Sequence, residues 1–291
     1  MNSLKVAALP LDTVHADPAA NIALMRRALD DVGTVDIAVL PEFFTTGFIT
    51  DPGLVSSCAQ APDGPAMQAV RAEAEARSCA ICGTFIARLP DGTLRNRAFF
   101  IAPGAAPVFY DKRHLFSISD EADVLTPGSQ PMPIIDFRGW RIALAVCYDL
   151  RFPVWCRNTV GPDGSLLYDI LIIPASWPDA RAHAWRTLLT ARAIENQAYV
   201  IGANRSGSDG FGRCDGLTAI FDFLGADIGS GQPSGAVTAT FSLDLLAAAR
   251  RRFPVWRDAD TFSITGPALA SASGPTPAPV PCVSTQEKKS T

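Results

Sequence analysis

The 291-residue sequence contains only three histidines, and it has no excess of positive charge: 25 Lys and Arg stand against 29 Asp and Glu, for a formal net charge of −4. Each scarcity removes a class of function. Proteins that bind nucleic acid cluster lysine and arginine against phosphates, whereas here the basic residues are scattered along the chain. No apolar run approaches the ~20 residues that cross a bilayer as a helix. The first stretch, "MNSLKVAALPLDTVHADP", breaks its short apolar run at Pro10 and Asp12, unlike a secretory signal. The expectation is a cytoplasmic protein with no nucleic-acid or membrane partner. His15, His114 and His183 stand at no metal-ligand spacing to the CxxC formed by Cys79 and Cys82. That pair, in "SCAICGTFIA", reads as buried thiols on a strand, because the spacing means little without a zinc or redox context. Seven cysteines, an odd number spread over a long chain, fit free thiols in a reducing compartment.

What is present is a large apolar inventory. Hydrophobic residues make up 48% of the chain, enough for one large domain with a sizeable core. Apolar, β-branched runs recur at "LKVAALPL", "DIAVLPE", "CAICGTFIA", "RAFFIAP", "RIALAVCYD", "YDILIIPAS", "AYVIGANRS", "LTAIFDFLG" and "AVTATFSLD". Helix-like stretches lie between several of them, among them "PAANIALMRRALDDVG", "PAMQAVRAEAEARS", "RAHAWRTLLTARAIENQ" and "SLDLLAAARRR". The alternation predicts an α/β fold. Residues 79 to 103 read as two strands joined by the hairpin signal "LPDGT", which favours a mixed sheet or two packed sheets over a single parallel one. "GSDGFG" at 207 to 212 is followed by no helix pattern and reads as a plain turn. From residue 263 onward the composition shifts to Pro, Ser, Ala and Thr without apolar period, so residues 1–262 are expected to form the domain and 263–291 a flexible tail.

Three apolar runs end on side chains capable of chemistry. "RIALAVCYDLRFPVW" places Cys147 where a strand ends, with Pro153 able to open a helix after it. "DIAVLPEFFTTGF" delivers Glu42, and "PVFYDKRHLF" delivers Lys112. A carboxylate can take a proton from a thiol, and an ammonium can favour the thiolate and hold a developing oxyanion. Taken singly, each residue has a plainer reading. Cys147 could be a small buried hydrophobe, Glu42 a helix-start carboxylate, and Lys112 one of three solvated charges with Asp111 and Arg113.

The segments "LPEFFTTGF", "YDKRHLF", "AVCYDLRFP" and "ARAIENQAYVIGANRSG" resemble, in order and spacing, the signature blocks of the nitrilase superfamily of carbon-nitrogen hydrolases. The resemblance runs from about Leu4 to Phe262 and is nearest to the ω-amidase branch, through "PASWPDARAHAWRTLLTARAIENQAYV" and "RRRFPVWRDADTF". It implies a four-layer α-β-β-α sandwich and a catalytic set of Glu42, Lys112 and Cys147. A further acidic position matches Glu121 in "SDEADVLTPG", whose plainer reading is a loop carboxylate flanked by Asp120 and Asp123. "CYD" at 147 to 149 is similar to the amidase and carbamoylase branches rather than to the Cys-Trp-Glu of nitrile-hydrolysing members.

The resemblance implies hydrolysis of the terminal amide of short dicarboxylate monoamides, such as 2-oxoglutaramate and succinamate, through a cysteine thioester. No cofactor or metal is expected. A hydrolase of N-carbamoyl amino acids or β-ureido acids is the enzymatic alternative, and a non-catalytic scaffold of the same fold is the alternative of another class. Candidate substrate contacts are the Tyr148 backbone N–H, Trp177, Arg181, Phe116 and Phe48, with Arg181 open between pocket and solvent. Arg151 reads as the partner of a nearby carboxylate, and His183 as a capping or core residue. The family commonly pairs through its helical layers, so a homodimer or higher homo-oligomer is expected.

Overall fold

Alternation along the first strand decides the layering. In the computed structural model, which describes residues 2–214 and 217–264, β1 (Ser3–Ala8) turns Leu4, Val6 and Ala8 into one apolar cluster and Ala7 into another. Successive side chains of a strand point to opposite faces, so both faces of this sheet are covered.

The elements that follow are α1 (Pro18–Val32), β2 (Ile37–Val39), α2 (Pro52–Cys58), α3 (Pro65–Arg77), β3 (Ala80–Arg88), β4 (Leu94–Ile101) and β5 (Val108–Asp111). Then come α4 (Glu121–Val124), β6 (Ile134–Phe137), β7 (Trp140–Leu144), a 3₁₀ turn at Cys147–Arg151 and β8 (Ile170–Ala175). After a 3₁₀ turn at Asp179–Arg181, α5 (Ala182–Asn196) leads into β9 (Tyr199–Asn204) and the hairpin of β10 (Ser208–Asp209) and β11 (Gly212–Arg213). The described order ends with β12 (Ala219–Phe221), β13 (Ser230–Gly231), β14 (Val237–Ser242), α6 (Leu243–Arg252) and a 3₁₀ turn at Val255–Asp258. Up to Thr261 these form one compact unit. The expected tail, 263–291, lies outside the described residues from 265 onward.

One sheet has the order β13-β14-β1-β2-β3-β4-β5 and the other β12-β9-β8-β7-β6. Each is mixed, with β1, β2 and β3 parallel in the first and β7, β8 and β9 parallel in the second. Val39, Cys82 and Phe100 of the first sheet share a core with Leu144, Ile172 and Val200 of the second. On the far side of the first sheet, Met25 and Leu29 of α1 and Met67 and Val70 of α3 pack on Ala38, Ile81 and Phe99. Trp185 and Leu189 of α5 cover the second sheet at Gly202. The layers therefore run α-β-β-α, as the resemblance implied.

Local chemistry explains most boundaries. Three helices open on proline at the first turn, two of them behind an aspartate whose side chain caps a backbone N–H, Asp17 for α1 and Asp51 for α2. The β3–β4 hairpin closes through Gly92, whose φ of 84° suits glycine. Two readings are corrected. Pro153 opens no helix, because the helical turn has already formed at Cys147–Arg151 and the chain goes on as an irregular turn. The helix α2 was not foreseen, since its seven residues carry a glycine and no full apolar period. The six cysteines among the described residues are free and buried, Cys79 and Cys82 included, and Cys282 lies outside them. Among the described residues no helix is long and apolar enough to cross a membrane.

Gly202 tests the α5 layer directly. A Cβ there would stand 2.6 Å from Leu189 Cδ1 and 2.8 Å from Trp185 Cζ2. Gly202→Ala is expected to destabilise the fold by about 1–3 kcal/mol, which thermal unfolding would register as a Tm lower by about 2–6 °C.

Candidate active site

Register brings the candidate residues to one edge. Leu144 pairs with Ile172, so three residues further on Cys147 stands level with Ala175, which itself pairs with Asn204, at the carboxyl ends of β7, β8 and β9. Ligands bind at such ends in parallel sheets. Glu42 follows β2 by three residues, and its N–H donates to Ala175 O at 3.3 Å, joining the two sheets here. Lys112 is the residue after β5, and both of its backbone groups are held. Its N–H donates to Asn96 O at 2.9 Å, and its carbonyl accepts from Gly128 N at 2.9 Å. A Cβ on Gly128 would fall 2.1 Å from Asp111 O, so only glycine permits that approach.

The side chains form a closed cage. Lys112 Nζ donates to Glu42 Oε1 at 2.9 Å and straddles Glu121 Oε1 and Oε2 at 3.0 and 2.9 Å. All three residues are at most 1% exposed. Asn96 Nδ2 reaches Glu42 Oε1 at 2.7 Å and Glu121 Oε1 at 3.0 Å. Ser176 N–H donates to Glu42 Oε2 at 2.9 Å, and Phe116 N–H to Glu121 Oε2 at 2.6 Å. Glu121 is thus no solvated loop acid. It is a buried counter-charge that shares the ammonium with Glu42.

Burial raises the pKa of Glu42, opposed by the Lys112 charge and assisted by that of Glu121. For Lys112, burial works against the charge, but the fields of Glu121 and Glu42 outweigh it and hold the ammonium protonated. Burial and the Glu42 charge push the Cys147 thiol well above its usual value, with Lys112 pulling the other way. The two groups that face each other are thus a thiol and a carboxyl group, both shifted upward by burial and hydrogen-bonded to one another. Cys79, raised to about 12 mainly by burial, has no such partner.

The nucleophile is mounted on strained backbone. Cys147 has a φ of 43°, costly for a residue with a Cβ. Asp149, fully buried, clamps the turn: its Oδ2 accepts from Val146 N at 3.0 Å and Tyr110 Oη at 2.8 Å, and its Oδ1 accepts from His114 N at 3.0 Å. His114 Nδ1 lies 2.7 Å from the same Oδ1, which binds the Lys112 loop to the Cys147 turn. Sequence reasoning had not singled out Asp149 or Asn96.

A cavity of about 370 Å³ opens onto this cage, lined by Lys112, Cys147, Tyr148, Trp177, Arg181 and other residues. Phe48 and Phe116, also foreseen, line it too, as do the unforeseen Phe211 and Arg205. Phe211 sits at the turn of the β10–β11 hairpin and meets Phe48 edge to face with ring centres 4.5 Å apart, so "GSDGFG" is a pocket wall as well as a turn. Glu42 and Glu121 stand behind Lys112. Arg151 is a correction: no carboxylate among the described residues pairs with it, and its guanidinium lies 4.6 Å from the Trp177 ring centre, in the pocket wall. Arg181 is likewise held over Phe116 at 5.3 Å. His183 is another correction, being exposed on the first turn of α5.

Ionised Glu42 keeps the rate of Cys147 alkylation level with pH, because the proton only shifts from sulfur to carboxylate. Below the Glu42 pKa that route closes. Since the pKa is raised, the rate with iodoacetamide is expected to stay level at neutral pH and to fall on acidification at a pH above the ~4.3 of an ordinary glutamate; Glu42→Gln should abolish the level region.

Comparison with known proteins gives a consistent result. The carbon-nitrogen hydrolase family profile matches residues 5–251. The Omega-amidase YafV of Escherichia coli K12 is 39% identical over 91% of this chain and 100% of its own length. The 2-oxoglutaramate amidase of Bacillus subtilis is 29% identical over 87% of this chain and 96% of its own. Among solved structures, the CN-hydrolase superfamily protein XC1258 of Xanthomonas campestris superposes with a TM-score of 0.85 at 37% identity, over 91% of this chain and 100% of that one. With a match along nearly its whole described length, the chain belongs to the carbon-nitrogen hydrolases of the nitrilase superfamily.

Proposed function

We propose that the protein is an ω-amidase, hydrolysing the terminal amide of short dicarboxylate monoamides such as 2-oxoglutaramate and succinamate to the acid and ammonia. One observation carries this reading: the pocket lined by the Cys147 thiol and the Lys112 ammonium also holds two guanidinium groups without a carboxylate partner among the described residues, Arg151 and Arg181. Arg205, the third arginine in the wall, is already engaged by Asp209 at 2.7 Å and by Ser176 Oγ at 2.9 Å. A buried amide carbon at the cage and a distal carboxylate at free arginines is the geometry a monoamide of a dicarboxylate would meet. The relatives named for ω-amidase and 2-oxoglutaramate amidase activity support the same substrate class.

In this mechanism Glu42 takes the Cys147 proton and the thiolate attacks the amide carbon. The Lys112 ammonium and the backbone N–H of Tyr148, in the first turn of the 3₁₀ segment, hold the oxyanion. Glu42 then returns the proton to the departing nitrogen, and a thioester remains. Water, deprotonated by Glu42, attacks the thioester and expels the Cys147 thiolate, which is reprotonated. Glu121 and Asn96 contact neither substrate nor Cys147 in this scheme and act through Lys112 and Glu42.

Ammonia release from 2-oxoglutaramate, succinamate, propionamide and an N-carbamoyl amino acid tests the proposal. Turnover of the two monoamides that disappears in Cys147→Ala is the expected result, and activity confined to the carbamoyl compound would overturn the substrate. Loss of a charge-assisted hydrogen bond is worth about 1.5–3 kcal/mol, so Arg151→Ala and Arg181→Ala should raise KM for the monoamides about 10- to 100-fold while leaving propionamide unchanged.

A further inference from the structure

The cage has a charge problem that the ion pairs alone do not solve. Two carboxylates and one ammonium, none more than 1% exposed, leave one negative charge over, and a buried charge needs donors. Asn96 supplies them. It lies within β4 between Arg95 and Arg97, which turn outward to Asp111, while strand alternation sends Asn96 inward, where it is fully buried. Its Nδ2 donates to both carboxylates, and its backbone carbonyl holds the Lys112 N–H. A single residue therefore touches all three members of the cage.

The other end of the amide is equally informative. Asn96 Oδ1 is buried and has no hydrogen-bond partner among the described residues. Turning the amide over would set that oxygen against Glu42 and Glu121, so the side chain accepts one unmet acceptor in order to aim both donors at anions. The groups that face Glu42 are Lys112 from the end of β5, Glu121 from α4, Cys147 from the 3₁₀ turn, the Ser176 N–H from the end of β8, and Asn96 itself. Burial and the Glu121 charge favour the protonated acid, whereas Lys112 and the Cys147 hydrogen bond favour the ionised form; a donor such as the Asn96 amide, 2.7 Å from Glu42 Oε1, acts in the same sense as Lys112.

We infer that Asn96 is a positioning residue that keeps Glu42 ionised and directed at Cys147, and so sets the lowest pH at which the thiol can be activated. The inference rests on Glu42 acting as the base. It predicts that Asn96 governs a titration and not only stability.

The test uses the full chain with Asn96→Leu, which removes the donors at similar volume, and Asn96→Asp, which keeps the shape and replaces the donors with a further acid. Two readouts are taken across pH: kcat/KM on 2-oxoglutaramate, and the rate of Cys147 alkylation by iodoacetamide, which needs no substrate. In Asn96→Leu the acid limb of both is expected to move up by about one pH unit, the size of one lost hydrogen bond to a charged acceptor, with Asn96→Asp moving in the same direction. Activity lost at neutral pH should return as the pH is raised. If both variants keep the wild-type limb and lose only rate or Tm, Asn96 is a packing residue and the inference falls. A shifted alkylation limb in a protein that turns over no amide would sustain the inference and remove the proposed substrate instead. An alkylation rate in the wild type with no level region would remove Glu42 as the base, and this inference with it.

Discussion

Lys112 is an ammonium group held almost without solvent between two carboxylates, and the surrounding fold is arranged to make that tolerable. Such a group survives only if its charge is matched and its donors are met. Meeting them requires residues from far apart in the chain: Glu42 after β2, Glu121 in α4, and Asn96 within β4. These three come from one sheet and its connections, and the second sheet joins them where the Ser176 N–H beyond β8 donates to Glu42. The two acids differ in their partners, since Glu121 faces the ammonium and Glu42 faces both the ammonium and Cys147.

The turn that carries Cys147 depends on a third buried carboxylate of a different kind. Among the described residues Asp149 pairs with no lysine or arginine; it gathers backbone N–H groups, a phenol and an imidazole from the two loops that must stay in register. Its bonds help to hold Cys147 in a left-handed conformation that a cysteine would otherwise leave. Strain at the nucleophile and rigidity around it are two sides of one arrangement.

Much of this was legible in the sequence. Glu42, Lys112 and Cys147 each stand directly after an apolar run, and the order of their blocks carried the family and the layer architecture. Phe48, Phe116, Trp177 and Arg181 were reachable because they lie beside those blocks. What escaped had the opposite character. Asn96 is a polar residue between two arginines in a strand, where composition suggests a solvated edge, and only register shows that it points inward. Arg151 looked like a partner for an acid because arginine usually is one, yet it stacks on Trp177 instead. Phe211 lies in a glycine-rich turn whose destination depends on how β10 and β11 project from the sheet end. Sequence reports which residues end strands. It does not report which strand ends meet.

The pinned backbone of Lys112 has a consequence for how such a protein can change. Asn96 holds one side of that residue and Gly128 the other, so the excursion from Arg113 to Pro127 leaves and rejoins the scaffold at a neck formed around Lys112, with His114 on Asp149 and Thr126 on Leu94 as further ties near its two ends. Phe116, Ile118, Ser119 and Asp120, all in this excursion, form one wall of the cavity. Lengthening or recolouring the stretch around Ile118, while sparing Glu121, would reshape what the pocket admits without displacing the ammonium. Divergence in substrate preference is thereby uncoupled from the chemistry, and the neck is the hinge point of that modularity.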